Sequence, residues 1–171
     1  MLSKLLADHD QLRQKGAVLR AFLNQPEFPC PYELAHARWD VCSAVLQHLA
    51  YEDRHLYSKL LSDPRPHVVQ IGRKFQVSLE GIHQVFAAHA TYWTARQVAL
   101  DWDGFREAAK LQGDGMLRRI ADEEAELFPL IERAEIDMTR SVYPVSNWAR
   151  RAFEIKDAIF DGIETQQRAK G

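Results

Sequence analysis

Apolar residues recur every three to four positions through most of the chain, which is the spacing of one buried face on an α-helix. This period extends over four long stretches, at about residues 3–23, 31–61, 67–99 and 103–134. Prolines after the first two stretches prevent either helix from continuing, and Asp103 is the predicted N-cap of the fourth helix. No stretch alternates with a period of two, as a half-buried strand would. The pattern therefore predicts an all-α protein.

Four helices of this length, joined by short turns, indicate an up-down-up-down four-helix bundle. A further helical segment follows Pro144, with Ser146 as its predicted N-cap and an apolar stripe made of Trp148, Ala152, Ile155, Ile159 and Ile163. We therefore expect a bundle domain at residues 1–137 and an additional C-terminal helix within residues 138–171. An apolar stripe needs a cover, either the bundle itself or a partner chain.

Each of the four long helices carries an ionisable residue where its apolar face predicts a leucine. These residues are His9, His48, Glu52, His83, Arg119 and Glu123. A charged or imidazole group inside a bundle costs on the order of several kcal/mol unless it is paired or binds a metal. His48 and Glu52 are one helical turn apart, so their side chains project from the same face. Such a mixture of nitrogen and oxygen donors suits iron, manganese or zinc.

The order of these residues resembles that of the hemerythrin-like (HHE cation-binding) domain family. Its signature is a histidine, an HxxxE motif, a histidine and a second HxxxE motif on four successive helices. The segment EEAELFPL at residues 123–130 also resembles the EExxLFP ending of the family's fourth helix. The resemblance spans roughly residues 3–134 and implies a non-haem iron site. The ligands that it implies are His9, His48, Glu52, His83 and Glu123, with the two glutamates as bridges.

One residue departs from this signature, because Arg119 stands where the second HxxxE motif has its histidine. An arginine keeps its proton and is not an ordinary metal ligand. In one interpretation the Arg119 guanidinium pairs with Glu52 or Glu123 and replaces the metal's charge. In the other, Arg119 turns aside and the five implied ligands hold one iron or an asymmetric pair. His55 shares a helical face with His48 and is a further candidate to support the site, whereas Glu124 and Glu126 are predicted to be solvated.

Charge, hydropathy and cysteine content argue against several classes of function and location. A formal net charge of -2 gives no basic excess for binding nucleic acid or an anionic membrane. No apolar run reaches the roughly 18 residues that a membrane span needs, and no signal peptide is recognisable. Two cysteines, Cys30 and Cys42, are too few for a disulfide framework, so a cytoplasmic location is expected. No nucleophile–base or phosphate-loop motif is present, so an enzyme is the less favoured class.

The sequence supports two alternative functions. The resemblance implies an iron-binding protein that senses oxygen, nitric oxide or redox state, with a diatomic gas as ligand, or one that handles iron. The alternative is a metal-free bundle that serves as a regulatory protein–protein interaction module. Such a module would use the stripe from Trp148 to Ile163 to bind a partner or to form a homodimer. Arg119 favours the module, and the inward histidines favour the metal.

Overall fold

The computed structural model describes residues 1–133 and 148–163, and all regular secondary structure in these ranges is helical. Four long helices form the predicted bundle, accompanied by a short helix at one end and a further helix after residue 147. The helices are α1 (Leu2–Leu23), α2 (Pro31–Glu52, then a π-helical turn at Asp53–Tyr57 and an α-helical end at Ser58–Leu60), α3 (Pro66–Tyr92), α4 (Ala95–Leu100), α5 (Trp102–Asp122, then a π-helical turn at Glu123–Leu127 and an α-helical end at Phe128–Arg133) and α6 (Trp148–Phe160). None of these helices has both the length and the apolar character needed to cross a bilayer.

Helix starts follow local chemistry. Pro31 and Pro66 lie in the first turns of α2 and α3, where a missing N–H costs nothing and the fixed φ suits a helix. The predicted third helix is broken earlier than expected, because Thr94 caps the separate helix α4 by accepting a hydrogen bond from the Gln97 backbone. The cap of α5 is Asp101, whose Oδ1 accepts from the Gly104 N–H at 2.9 Å.

The prediction of Asp103 as the cap of α5 was therefore wrong by two residues. Asp103 already lies in the first helical turn, where its carboxylate accepts from Arg106 at 2.9 Å. The earlier start makes Trp102 the first helical residue, and its side chain is buried in an apolar cluster at that end of the bundle. We call this the Trp93 cluster; it comprises Leu23, Leu34, Trp93, Val98, Trp102, Phe105 and Ala109.

The C-terminal helix α6 covers the outside of the bundle against α2 and α3. Ile155 and Ile159 are fully buried, in a cluster with Ala35, Leu46, Ala87 and Ala90. The stripe predicted from sequence is thus covered by the chain's own bundle. The predicted cap Ser146 and the boundary between residues 137 and 138 lie outside the described residues.

Shortening a buried side chain of this stripe is expected to destabilise the protein strongly. Ile159→Ala should lower the free energy of unfolding by about 2–5 kcal/mol, since it leaves a cavity between α6 and the bundle. Urea unfolding followed by circular dichroism measures this change. Phe153→Ala is the control on the same helix, because Phe153 is 68% exposed and its loss should change stability by no more than about 0.5 kcal/mol. Equal effects of the two variants would contradict the observed packing of α6.

Candidate metal centre

Two π-helical turns accompany the two buried glutamates of the centre. Glu52 directly precedes the turn at Asp53–Tyr57, and Glu123 begins the turn at Glu123–Leu127. A π turn holds one residue more than an α-helical turn and often occurs at functional sites. It rotates the following residues away from the positions that a regular helix would give them. Each turn thus changes which side chains face the interior beyond its glutamate.

The π turn in α2 determines that Tyr57, and not His55, faces the centre. Tyr57 is fully buried and directs its hydroxyl into the centre. His55 is half-buried and packs against Tyr51, with ring centroids 4.6 Å apart. The structure therefore does not bring His55 to the predicted ligands. Tyr57 was missed in the sequence because the extra residue of a π turn has no recognisable signal there.

His9, His48 and Glu123 form the heart of the centre, each from a different helix. One potential ligand atom from each of these side chains lies within 4.8 Å of the other two. Glu123 Oε2 is 3.2 Å from His9 Nε2 and 3.9 Å from His48 Nε2. Glu52 is adjacent, with its Oε2 3.8 Å from His48 Nε2. All four side chains are at most 2% exposed.

His9 is held in place by a second carboxylate. Its Nδ1 lies 2.9 Å from Glu124 Oε1, and Arg13 donates to the other oxygen of Glu124 at 2.7 Å. The Arg13 hydrogen bond lowers the pKa of Glu124, so Glu124 is ionised and His9 Nδ1 is the donor. His9 Nε2 then faces Glu123 Oε2, and only a proton or a metal ion between them satisfies both acceptors. The prediction that Glu124 is merely solvated was wrong, because its carboxylate orients a buried histidine.

Arg119 points into the centre. Its Nη2 lies 2.5 Å from Glu123 Oε1 and 3.3 Å from Glu52 Oε2, and it donates to the Tyr57 hydroxyl at 2.9 Å. The contact with Glu123 is an ion pair whose angles do not fit a hydrogen bond. Nη1 donates to Ser78 Oγ at 3.2 Å, across the interior on α3. Of the two alternatives left open by the sequence, the structure shows an inward, paired arginine.

His83 is the one predicted ligand that is not brought to the others. Arg119 contacts α3 at Phe75 and Ser78. His83 lies five residues after Ser78, which is more than one helical turn further along α3. Its ring is half-buried against Trp148 of α6, with centroids 4.4 Å apart. Burial lowers the pKa of His83, which keeps the ring uncharged beside the indole. His83 belongs to the apolar stripe of α3, but the stripe alone does not show whether its side chain faces the centre or faces α6.

The two buried glutamates, Glu52 and Glu123, have opposite pKa shifts. Burial, together with the charge of Glu123, raises the pKa of Glu52 well above its usual range. Burial acts on Glu123 in the same direction, but the neighbouring imidazoles of His48 and His9 and the charge of Arg119 outweigh it and lower the pKa of Glu123 to about 2. Glu123 is thus the ionised carboxylate of the pair. It receives positive charge from Arg119 on one side and imidazole nitrogens on the other.

These residues fit one metal ion and do not fit two. Bond lengths of about 2.0–2.2 Å from a metal to nitrogen or oxygen place ligand atoms roughly 3–4 Å apart, and the distances from Glu123 Oε2 to His9 Nε2 and His48 Nε2, 3.2 and 3.9 Å, lie in this range. Glu52 Oε1 and His48 Nδ1 have no hydrogen-bond partner among the described residues, so Glu52 has an oxygen free to bind. On the far side of Glu123, the space beside Glu52 is filled by the Arg119 guanidinium. A second ion would have to displace that group.

Comparison with known proteins agrees with this geometry. The family model described as the hemerythrin HHE cation-binding domain matches residues 1–131, which include the four long helices except the last two residues of α5, and every residue of the centre. No curated protein and no solved structure shows a significant match to the chain. Because the family model covers well over half of the 171 residues, the chain belongs to the hemerythrin HHE cation-binding domain family.

Proposed function

We propose that this protein binds one resident transition-metal ion, with iron as the first candidate, and uses it to sense oxygen, nitric oxide or redox state. The observation that carries the proposal is the group formed by His9, His48 and Glu123. Two imidazoles and a carboxylate, with Glu52 as a further oxygen donor, match the preferences of iron. The family to which the chain belongs binds metal ions, typically iron.

The burial of the donor side chains favours an ion that stays bound over an ion that the protein transports or exchanges. The donor side chains are at most 2% exposed, so an ion leaving the site would require the helices to separate. Bound iron would supply one-electron chemistry and a coordination position for a small ligand such as dioxygen or nitric oxide. The protein's residues would orient His9 through Glu124, hold Glu123 against Arg119 and exclude water. A role in iron handling, in which the ion is exchanged, is the less favoured form of the proposal.

The metal-free interaction module has one specific observation in its favour. Arg119 already pairs with Glu123 and contacts Glu52, so these carboxylates have a cation without any metal. The stripe that such a module would use is buried against the protein's own bundle, and Ile155 and Ile159 have no exposed surface. A partner or a second copy would have to bind another face. A cytoplasmic location remains a prediction in either case.

Metal content per chain is the direct test. Protein expressed with iron supplementation and purified without chelators should contain about one metal ion per chain, because Arg119 fills the space beside the second glutamate. Elemental analysis measures the ratio, and the ultraviolet–visible spectrum should lack the bands of an oxo-bridged pair. Two metal ions per chain would contradict the inference that Arg119 occupies the space of a second ion. A ratio near zero would refute metal binding and favour the module.

Matched histidine variants locate the ion. His48→Ala should reduce the ratio to near zero, because it removes one of three convergent donors. His83→Ala should keep the ratio at about one, because His83 packs on Trp148. If His83→Ala also lost the metal while remaining folded by circular dichroism, the assignment of ligands would be wrong.

A further inference from the structure

A cavity of about 590 Å³, partly open to solvent, lies between α1, α2, α3 and α5. One end is formed by Leu12, Val45 and Ile120, which are near His9, His48 and Arg119 in the sequence. The other end reaches Phe105 in the Trp93 cluster. The distance between these ends, from Leu12 to Leu23 along α1, is roughly 16 Å. The volume is in the range of small-molecule binding sites, which is about 300–1,000 Å³.

Four glycines within helices line the cavity: Gly16, Gly81, Gly113 and Gly115. A Cβ atom added at the first three would meet nothing within 4 Å, and at Gly115 it would meet only the end of the Arg118 side chain. Close packing therefore does not require glycine at these positions. Each glycine costs a helix about 0.5–1 kcal/mol relative to alanine. Together they leave four positions in the wall of the cavity without side chains.

The charged residues that line the cavity all have the same sign. Among the described residues the lining contains Arg13, Arg20, Arg38 and Lys110 but no aspartate or glutamate. Arg13 pairs with Glu124 and Arg20 with Asp114, both outside the lining. Otherwise the wall consists mainly of aliphatic and aromatic side chains. The cavity therefore suits a largely apolar ligand that carries a negative charge.

Arg38 is the cation that has no carboxylate. Its side chain is 4% exposed, donates to the Trp93 carbonyl oxygen at 2.5 Å and lies 4.8 Å above the Phe105 ring. No described carboxylate lies within ion-pair distance of it. Burial lowers the pKa of Arg38 to about 10, so the guanidinium is still charged at neutral pH. A buried cation without an anion is costly, and an anionic ligand would remove that cost.

His89 supplies a second polar group at the same end. Its Nε2 is buried and has no hydrogen-bond partner among the described residues. Burial, together with the nearby charge of Arg38, lowers the pKa of His89 to about 4. The ring is therefore neutral, and the tautomer with a proton on Nε2 can donate one hydrogen bond. A guanidinium and an imidazole N–H together match the acceptor oxygens of a carboxylate.

We propose that the cavity binds a linear apolar monocarboxylic acid of the fatty-acid class. The carboxylate binds Arg38 and His89, and the hydrocarbon chain extends along α1 toward Leu12 and Ile120. This orientation places the apolar end of the ligand next to the His9–His48–Glu123 centre. The inference does not depend on the presence of metal, since no proposed ligand of the ion lines the cavity.

Calorimetric titration of the full-length protein with dodecanoate tests the proposal. We expect binding in the micromolar range, at least tenfold weaker binding of 1-dodecanol, and no binding of dodecyltrimethylammonium, which has a charge of the wrong sign. Arg38→Met should weaken dodecanoate binding at least tenfold and leave 1-dodecanol unchanged. No binding of dodecanoate, or equal affinity for the acid and the alcohol, would overturn the proposal.

A matched pair of variants at Gly16 keeps the test decisive even if Arg38→Met does not fold. Gly16→Leu fills the cavity and should abolish dodecanoate binding, whereas Gly16→Ala improves helix propensity in the same way but leaves most of the space and should bind normally. Lys110→Met removes a cation elsewhere in the lining and should also bind normally. Loss of binding in Lys110→Met but not in Arg38→Met would overturn the placement of the carboxylate, as would full binding by Gly16→Leu.

Discussion

Glu123→Ala is expected to abolish metal binding and to lower the free energy of unfolding of the metal-free protein by about 3–5 kcal/mol. Glu123 Oε2 faces both histidines, and Glu123 Oε1 lies 2.5 Å from Arg119. Without this carboxylate, the longer contact with Glu52, at 3.3 Å, is the one carboxylate contact that the buried guanidinium retains among the described residues. Metal analysis and urea unfolding of chelator-treated protein measure the two effects. The energetic effect is large because a buried charge loses its closest partner.

Glu126→Ala is the matched control, because Glu126 belongs to the same π turn. Its side chain is 53% exposed and pairs with Lys74 on the surface. Such pairs contribute no more than about 1 kcal/mol, so stability should change little and the metal should remain bound. If Glu123→Ala destabilised the metal-free protein by no more than Glu126→Ala does, Arg119 would not depend on Glu123 and the ion pair would not matter energetically.

Arg119→His is expected to raise the metal content from about one ion to about two per chain. The substitution removes the guanidinium from the space between Glu52 and Glu123 and places an imidazole one turn before Glu123. With the Tyr57 hydroxyl nearby, that space would then have two carboxylates, an imidazole and a phenol. Elemental analysis gives the ratio, and absorption bands of an oxo bridge between two irons would show that the ions share the centre.

Arg119→Met separates the loss of charge from the gain of a ligand. Methionine removes the cation and has similar length, but it offers only a weak thioether donor. This variant should remain at about one ion per chain and should be less stable without metal, because Glu52 and Glu123 lose their shared cation. A ratio of one in Arg119→His as well would show that Phe75 and the other residues of α3 at this level limit the site, since they supply no ligand.

Much of the architecture follows from the sequence because helix periodicity and proline positions are local signals. The four long helices and the buried stripe of α6 were predicted close to their observed positions. The break between α3 and α4 was missed, since Thr94 caps a helix of only six residues in a segment where the apolar period continues. Asp101 and Asp103 are equally acceptable caps by composition. The burial of Trp102 distinguishes them, and burial is a tertiary property.

The centre was predictable only in part. The structure brings His9, His48, Glu52 and Glu123 together from three helices, at the positions where the sequence resembles the family signature. The sequence could not place Arg119, since an inward and an outward guanidinium fit the same spacing. It also missed Tyr57, because the π turn after Glu52 changes the helical phase. His83 was included because the pattern places it on an inward face, but that face belongs to the contact with Trp148.

The distance along the chain between His9 and Glu123 has a consequence for synthesis. These residues are 114 positions apart, so at about 5–20 residues per second the ribosome makes Glu123 roughly 6–23 s after His9. Until then, His9 and His48 have no carboxylate from α5, and the nascent chain cannot close the centre. When Glu123 emerges, Arg119 has already been made one helical turn earlier. Glu123 therefore reaches the growing bundle together with its own counter-charge, and the nascent protein can close before a metal ion binds.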